Sequence, residues 1–389
     1  MRKRKKVLIT VLALFFAYVA WLGWRIANFK TYVTAPSVSL KTSAAEFFEI
    51  QGAYHIHTRF SDGHKTPDEI ARIAHEAGLD FIILTDHGRP NYSSLDAQER
   101  KAGVLVLAGS ELSVNRGHMV GLGFSRPSRD FSSNAEAAAH EVSALGGFTI
   151  IAHPYSKVRW SWGKSAEYGG IEIMDMDSML KKNFLGSLLF LPALLVKQVY
   201  AVLKMIDPPV RNLQKWDRLA AFRPIYGYFS ADAHFFYSAA LSVFHLHVLL
   251  DEKISSDFSS ARTQIFNALR RGYFYNAVDA AAAARGFRFW AEISGKMFPM
   301  GDTIFTETES SKASARVTFR LAVPFSFAHE TRLLRNGQMM MRSPEQDISF
   351  DAADPGVYRA EVYLREKSPL DPEVPWIISN PIFVRKARR

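Results

Sequence analysis

Tyr54-His55-Ile56-His57-Thr58-Arg59-Phe60-Ser61-Asp62-Gly63 sets two histidines two residues apart, with an aspartate five residues further on. If a strand ends here, alternation places both imidazoles on one side of it. Two imidazoles on one face are a chelating pair for a divalent metal. A single His-x-His is common and carries little by itself. The segments on either side give it weight.

Working outward, Phe47 to His57 reads as a first strand. Thr66-Pro67-Asp68-Glu69 then opens a helix, with Thr66 as N-cap, Pro67 at the first position and Glu69 completing a capping box. Ile70, Ile73, Ala74 and Ala77 form its apolar stripe, and Gly78 stops it. Phe81 to Leu84 is a short apolar run, the mark of a strand covered on both faces. It ends in Thr85-Asp86-His87. The unit recurs. Val104 to Ala108 runs into Gly109-Ser110-Glu111, and His118 to Gly123 follows after a turn. Asn134 to Leu145 is a helix closed by Gly146-Gly147. Phe148 to Ala152 leads to His153-Pro154, Gly170 to Met174 carries Glu172, and Ile225 to Ser230 leads to Asp232-Ala233-His234. Strands alternating with helices predict a parallel α/β barrel, with its chemistry at the C-terminal ends of the strands.

The 389 residues are 48% hydrophobic and 22% charged, ample for a globular core. The absence of cysteine excludes disulfides and thiolate metal sites, leaving imidazole and carboxylate as donors. The net charge of +10 is concentrated at one end. Arg2, Lys3, Arg4, Lys5, Lys6, Arg25 and Lys30 lie in the first 30 residues with no acid among them, and without those seven the charge is +3. That distribution argues for membrane topology, and no nucleic-acid partner is expected. Val7 to Trp24 is 18 residues without a charge, a short membrane span with Trp21 and Trp24 at the interface. No small-x-small cleavage site follows, so an uncleaved anchor is expected. Its basic flank keeps the N-terminus cytoplasmic, which makes the chain a single-pass cell-membrane protein with the remainder on the non-cytoplasmic side.

The expected organisation is a basic tail and transmembrane anchor at 1–30, a linker at 31–46, the barrel at 47–285 and a β-sandwich at 286–389. Residues 184–206 are a strongly apolar insertion, broken by Pro192 and carrying Lys197 and Lys204. After Pro192, the residues Leu194, Leu195, Val199, Val202, Leu203 and Ile206 follow helical spacing. A helix that packs on the core or covers the substrate is expected there; the alternative is a helix lying on the bilayer. In the C-terminal part Val317, Phe319, Leu321 and Val323 alternate with Thr318, Arg320 and Ala322. Tyr358, Ala360, Val362 and Leu364 alternate with Arg359, Glu361 and Tyr363, and Asn336-Gly337 marks a hairpin.

Nine residues gather at or just after strand ends: His55, His57, Asp62, His87, Glu111, His118, His153, Asp232 and His234. Six imidazoles and three carboxylates exceed what one ion takes. They suit a cluster of two or three divalent ions, with Glu111, alone between the histidine groups, as the bridge.

These segments, His55-Ile56-His57 with Asp62, Thr85-Asp86-His87-Gly88, Gly109-Ser110-Glu111, His118, His153-Pro154 and Asp232-Ala233-His234, resemble in order the PHP (polymerase and histidinol phosphatase) superfamily across 52–234. The resemblance implies a distorted seven-stranded β/α barrel holding up to three divalent ions, zinc, manganese or iron. It implies one ion at His55, His57, Glu111 and Asp232, and a second at Glu111, His118 and His153. A third, sharing no residue with the others, would lie at Asp62, His87 and His234. Many members have histidine where this chain has Asp62. Pro355 to Tyr363 and Pro375 to Ile382 look like the β-domain of one branch, similar to carbaryl-type carbamate hydrolases and to many uncharacterised proteins classed with phosphoesterases.

The expected function is a membrane-anchored metal-dependent hydrolase, a phosphoesterase acting on an anionic small molecule. Bound ions acidify water, so the expected nucleophile is a hydroxide held by His55, His57, Glu111 and Asp232. Arg89 and Lys157 are candidates to clamp a phosphate. Asp86 is expected to cap a helix or hydrogen-bond a ligand histidine, and Glu172 to support a ligand or serve structure. His64, His75, His140, His245, His247 and His329 read as surface or core. Two other readings stand: a carbamate or ester hydrolase, favoured by apolar walls from the insertion, and a non-catalytic metal-bearing scaffold whose β-domain binds a partner or glycan.

Overall fold

A computed structural model of the chain describes residues 2–33, 47–115, 117–155, 167–183, 190–306, 316–323 and 325–387. Lys157, most of the linker and the start of the apolar insertion lie outside them.

The N-terminal helix α1 (Arg2–Ala27) is followed by β1 (Phe48–Ile56), α2 (Pro67–Glu76), β2 (Phe81–Leu84), α3 (Tyr92–Asp96), β3 (Glu99–Lys101) and β4 (Val104–Ala108). The capping box of α2 forms as expected: the Thr66 hydroxyl accepts from Glu69 N–H, and Glu69 accepts from Thr66 N–H at 2.8 Å. Ile70, Ala71 and Ala74 are buried. Burying an isoleucine is worth ~1.5–3 kcal/mol, enough to hold a three-turn helix that is marginal alone. β5 (Ser110–Val114) and β6 (Gly117–Leu122) form a hairpin, followed by α4 (Ala135–Ala144), β7 (Phe148–Ile151), β8 (Gly170–Asp175) and α5 (Met176–Lys182). Helices α6 (Leu191–Val196), α7 (Gln198–Met205) and α8 (Val210–Ala220) precede β9 (Tyr226–Ser230). Then come α9 (Tyr237–Val243), β10 (Phe244–Leu250), α10 (Phe258–Arg271) and β11 (Phe274–Val278).

β1, β2 and β4 pair in parallel, with β10 and β11 added antiparallel on the other edge of β1. A second sheet runs β5-β6-β7-β8-β9. The ladders are open, so the expected closed seven-stranded barrel is not formed by them. The cause is local: after Gly109 the chain makes the antiparallel β5–β6 hairpin where a βα repeat would place a crossover helix. Isolated parallel bridges, Ile56 to Ala233 and His87 to Glu111, join the two sheets at the end where β1, β2 and β9 finish. That end is where the candidate donors collect.

The C-terminal strands are β12 (Arg288–Ile293), β13 (Lys296–Pro299), β14 (Thr303–Thr306), β15 (Val317–Ala322), β16 (His329–Arg335), β17 (Gln338–Ser343), β18 (Asp347–Ala352), β19 (Gly356–Leu364), β20 (Ile377–Ser379) and β21 (Ile382–Lys386). They do not form a free-standing sandwich. β13-β12-β15-β18 is a separate sheet, but β20 pairs with β11, so β14, β16, β17, β19 and β21 extend the first sheet. The two layers meet where Phe319 stacks on Tyr358 at 4.2 Å. The expected alternation of β19 is absent, because both of its faces are covered. Arg359 and Glu361 are buried and ion-paired, with Asp217 of α8 completing the group. The Asn336-Gly337 hairpin between β16 and β17 forms as expected, both residues at positive φ.

Within α1, Arg4–Ala27 contains an 18-residue window with a mean hydropathy of 2.2 and is long and apolar enough to cross a membrane. Its final turns dock on the insertion: Tyr18, Leu22 and Ile26 pack against Ala193, Leu194, Tyr200 and Ala201. From residue 190 on, the described part of the insertion is two helices, broken at Lys197 (φ −146°, ψ 78°) and not at Pro192. Pro192 lies in the first turn of α6, where a missing N–H costs nothing.

Candidate metal centre

His55 lies at a bulge in β1, where pairing to β2 shifts register between Tyr54 and Ile56, and it has φ +65°. Simple strand alternation therefore does not bring His55 and His57 together. The bulge turns His55 inward, and the two rings stand 5.1 Å apart. His153 (φ +23°), after β7, and Asp232 (φ +40°), after β9, also hold the sparsely populated left-handed backbone. Such strain concentrates at functional sites. Gly63 follows Asp62 under tight constraint, because a Cβ there would stand 2.4 Å from the His57 carbonyl oxygen and 2.6 Å from the Tyr237 hydroxyl. Tyr237 in turn donates to that carbonyl at 2.8 Å.

All nine expected donors converge. Glu111, 1% exposed, is the hub. Its Oε1 lies 2.7 Å from His118 Nδ1 and 2.8 Å from His153 Nε2. Its Oε2 lies 3.2 Å from His55 Nε2, 3.3 Å from His57 Nε2 and 3.2 Å from His87 Nδ1. Asp232 Oδ1 approaches His55 Nε2 at 3.4 Å and His57 Nε2 at 3.3 Å. Asp62, at the open side, reaches His57 Nδ1 at 3.4 Å, His87 Nε2 at 3.5 Å and His234 Nε2 at 3.3 Å. His57 and His87 each face Asp62 with one ring nitrogen and Glu111 with the other. The expected independence of the Asp62 group is therefore corrected: two imidazoles couple it to the hub.

The donor set fits metal ions. His55 Nε2, His57 Nε2 and His87 Nδ1 are buried and have no aligned hydrogen bond, although each lies close to a carboxylate. Buried polar atoms without partners are costly, and a cation among these nitrogens and carboxylates supplies what they lack. The side chains also answer one another's charge. Burial opposes charging His55, yet Glu172, Asp232 and Glu111 outweigh it and hold its pKa well above the ordinary value. His57 is lifted against burial to about 9 by the neighbouring Asp232 and Glu111 carboxylates, and His153 to about 10 mainly by Glu111. Burial would raise the Glu111 pKa, but His55, His118 and His153 hold it well below the ordinary value.

Supporting groups surround the donors. Glu172, fully buried on β8, accepts from His55 Nδ1 and from the His153 backbone N–H, both at 2.6 Å. It orients two donors at once. A carboxylate inside a buried strand was the available signal; its two contacts were not legible. Asp86 neither caps a helix nor touches a donor histidine. It accepts from Thr58 N–H and the Ser61 hydroxyl at 2.7 Å each, and from the Ser94 hydroxyl at 2.6 Å, bracing the loop between His57 and Asp62. Arg89 lies half-buried two residues after His87, with no carboxylate partner among the described residues.

His245, His247 and Asp279 form a further cluster, away from the hub. Both histidines are core residues, and every ring nitrogen has a protein partner: Asp279 twice, Glu49 and the Leu241 carbonyl. No orphaned nitrogen there asks for an ion.

Beside the hub, a cavity of about 230 Å³ is lined by Asp232 and His234 at one end. Its walls are almost wholly apolar, among them Met176, Leu180, Leu194, Val202, Phe235 and Phe236.

Residues 53–185 match the PHP domain family. That segment includes seven of the nine donors, and Asp232 and His234 come from the chain beyond it. An uncharacterized protein of Methanocaldococcus jannaschii is 26% identical over 136 residues, 31% of this chain and 79% of that protein. Among solved structures, a two-domain protein of Bacteroides vulgatus containing a predicted PHP-like metal-dependent phosphoesterase is similar with a TM-score of 0.40 and 14% identity, over 91% of this chain and 99% of that one. An amidohydrolase from Chromobacterium violaceum with bound sulfate gives a TM-score of 0.32 and 16% identity, over 47% of this chain and 87% of that one. With seven of the nine candidate donors inside the matched segment, residues 53–185 of this chain carry a PHP domain.

Proposed function

We propose that the chain is a metal-dependent phosphoesterase held at the membrane by α1. The observation that carries this reading is the set of buried, unpartnered imidazole nitrogens around Glu111. His55, His57, Glu111 and Asp232 would hold one divalent ion, and Glu111 with His118 and His153 a second. Asp62, His87 and His234, joined by His57, would hold a third. Such ions, when bound, polarise a phosphoryl oxygen and acidify water near neutral pH. Glu172 fixes the ring plane of His55 and the backbone of His153, so donors stay aimed without substrate. Asp62 and His87 form the accessible side of the cluster, at 55% and 32% side-chain exposure, and are the side from which substrate enters. Arg89 is placed to meet a phosphate oxygen there. We read 47–285 as the hydrolase unit and 286–389 as an appended β-unit. The basic N-terminal flank would leave both on the non-cytoplasmic side.

A carbamate or ester hydrolase on the same site is the second reading, favoured by the apolar cavity at Asp232 and His234. A hydrolysis panel on the full chain in detergent, loaded with Mn²⁺ or Zn²⁺, separates the two. Turnover of phosphomonoesters or diesters supports the first; turnover confined to aryl carbamates or esters overturns it. Full metal content with no turnover of any class would favour a scaffold.

A further inference from the structure

We propose that the substrate is an amphiphilic phosphoester bearing an alkyl or acyl chain, taken from the bilayer surface. This rests on the phosphoesterase reading and deepens it.

Three observations converge. First, the apolar cavity adjoins the donor cluster. Asp232 and His234 line it together with Leu180, Leu194, Val202, Phe235 and Phe236. A headgroup on the cluster would therefore direct its substituent along an apolar path. At about 230 Å³ the cavity is below the ~300–1,000 Å³ usual for drug-sized ligands, so it admits one narrow chain and not a diacyl body.

Second, the wall is physically joined to the membrane segment. Leu194 lines the cavity and also packs in the cluster that docks α1, with Leu22, Ala193, Tyr200 and Ala201. The same helix pair exposes Leu195 (88%) and Val196 (75%) to solvent. Apolar side chains that open next to a membrane-spanning helix have the bilayer as their natural partner. Phe235 and Phe236, about half exposed, bring the aromatic rim of the cavity to the surface as well.

Third, two cations without a carboxylate partner among the described residues lie on this side: Lys197 at the break between α6 and α7, and Lys204 on α7, whereas Lys181 and Lys182 are paired with Asp177 and Asp207. Lysines flanking an apolar face suit an anionic interface. An apolar wall for a neutral aromatic substrate would need neither the junction with α1 nor the exposed Leu195 and Val196.

The test uses the full chain in detergent, loaded with Mn²⁺, and a series of n-alkyl phosphates from methyl to dodecyl, below their micellar concentrations. For each methylene entering the cavity, kcat/KM should rise about fourfold, from ~0.8 kcal/mol per buried CH₂. It should level off once the cavity is full. Calorimetric titration of the matching alkylphosphonates, which are not turned over, should show affinity rising with the same slope and a negative heat-capacity change. L180Q and L194Q should flatten both slopes, and circular dichroism reports whether each variant is folded. The series on the unaltered chain decides the matter without the variants. Methyl and dodecyl phosphates processed and bound alike would overturn the amphiphile while leaving the phosphoesterase intact. No phosphoester hydrolysed at any length would overturn the phosphoesterase reading, and this inference with it.

Discussion

Replacing Glu111 by glutamine tests the centre most directly. The carboxylate meets five imidazoles, two through Oε1 at 2.7 and 2.8 Å and three through Oε2 at 3.2–3.3 Å. Glutamine keeps the shape and removes the charge. Two consequences must be separated. In the metal-free protein the histidines lose their buried counter-charge, at a cost on the order of 3–5 kcal/mol. In the metal-loaded protein two ions lose a shared ligand. An ion present at a hundredfold excess over its Kd stabilises the fold by ~2.7 kcal/mol, so two ions give about 5 kcal/mol. At roughly 2 °C per kcal/mol for a chain of this size, those two ions should account for ~10 °C of the Tm rise that Mn²⁺ gives the unaltered protein. In E111Q most of that contribution should disappear, with more than one ion lost by elemental analysis. The metal-induced shift, not the absolute Tm, is the informative quantity, because it cancels the first consequence. An E111Q protein with full metal content and the full shift would refute a bridge at this carboxylate.

Asp62→Ala should lower the metal-to-protein ratio by about one while weakening the remaining ions several-fold, since His57 and His87 face both Asp62 and Glu111; loss of all metal would contradict this arrangement. Glu172→Gln should reduce metal affinity by about 10- to 100-fold in a chelator competition, and unchanged affinity would show that His55 and His153 need no such support. The buried Glu49 to His247 pair away from the centre predicts a pH window. Burial opposes ionising Glu49, but His247 and Arg288 lower its pKa to about 2, so its stabilisation is present above the ordinary 4.5 and is lost as pH falls through 2. Burial likewise opposes charging His247, but Asp279 and Glu49 raise it to about 9, so that stabilisation is present below 6.5 and is lost as pH rises through 9. Unfolding free energies from urea titration should therefore differ most between native and E49Q proteins at pH 4.5–6.5, by about 3 kcal/mol from a shift of ~2.5 pKa units counted once; equal pH profiles would refute the pairing. For topology, alkaline phosphatase fused after Arg389 should be active and a cytoplasm-restricted fluorescent protein dark; the reverse would invert the anchor.

What was readable from residues alone was local or carried by donor chemistry. The Thr66–Glu69 capping box, the stop at Gly78 and the Asn336-Gly337 hairpin are set within a few residues, and each formed as expected. The nine candidate donors were legible because strand ends offer few reasons for histidine beside carboxylate. Long-range pairing decided the rest. Whether the strands close depends on partners far apart in the chain, and the β5–β6 hairpin leaves two open sheets joined by isolated bridges. The alternation in β19 suggested a solvent face for Arg359 and Glu361, but α8, more than a hundred residues earlier, covers it. The same holds at the site. His55 and His57 meet through a bulge that no spacing rule encodes, and His57 and His87 serve two groups because each imidazole has two nitrogens whose directions only the folded backbone sets. The junction of α1, Leu194 and the cavity joins segments about 170 residues apart. Composition dictates which residues seek burial, whereas the partner each one meets is a property of the tertiary fold.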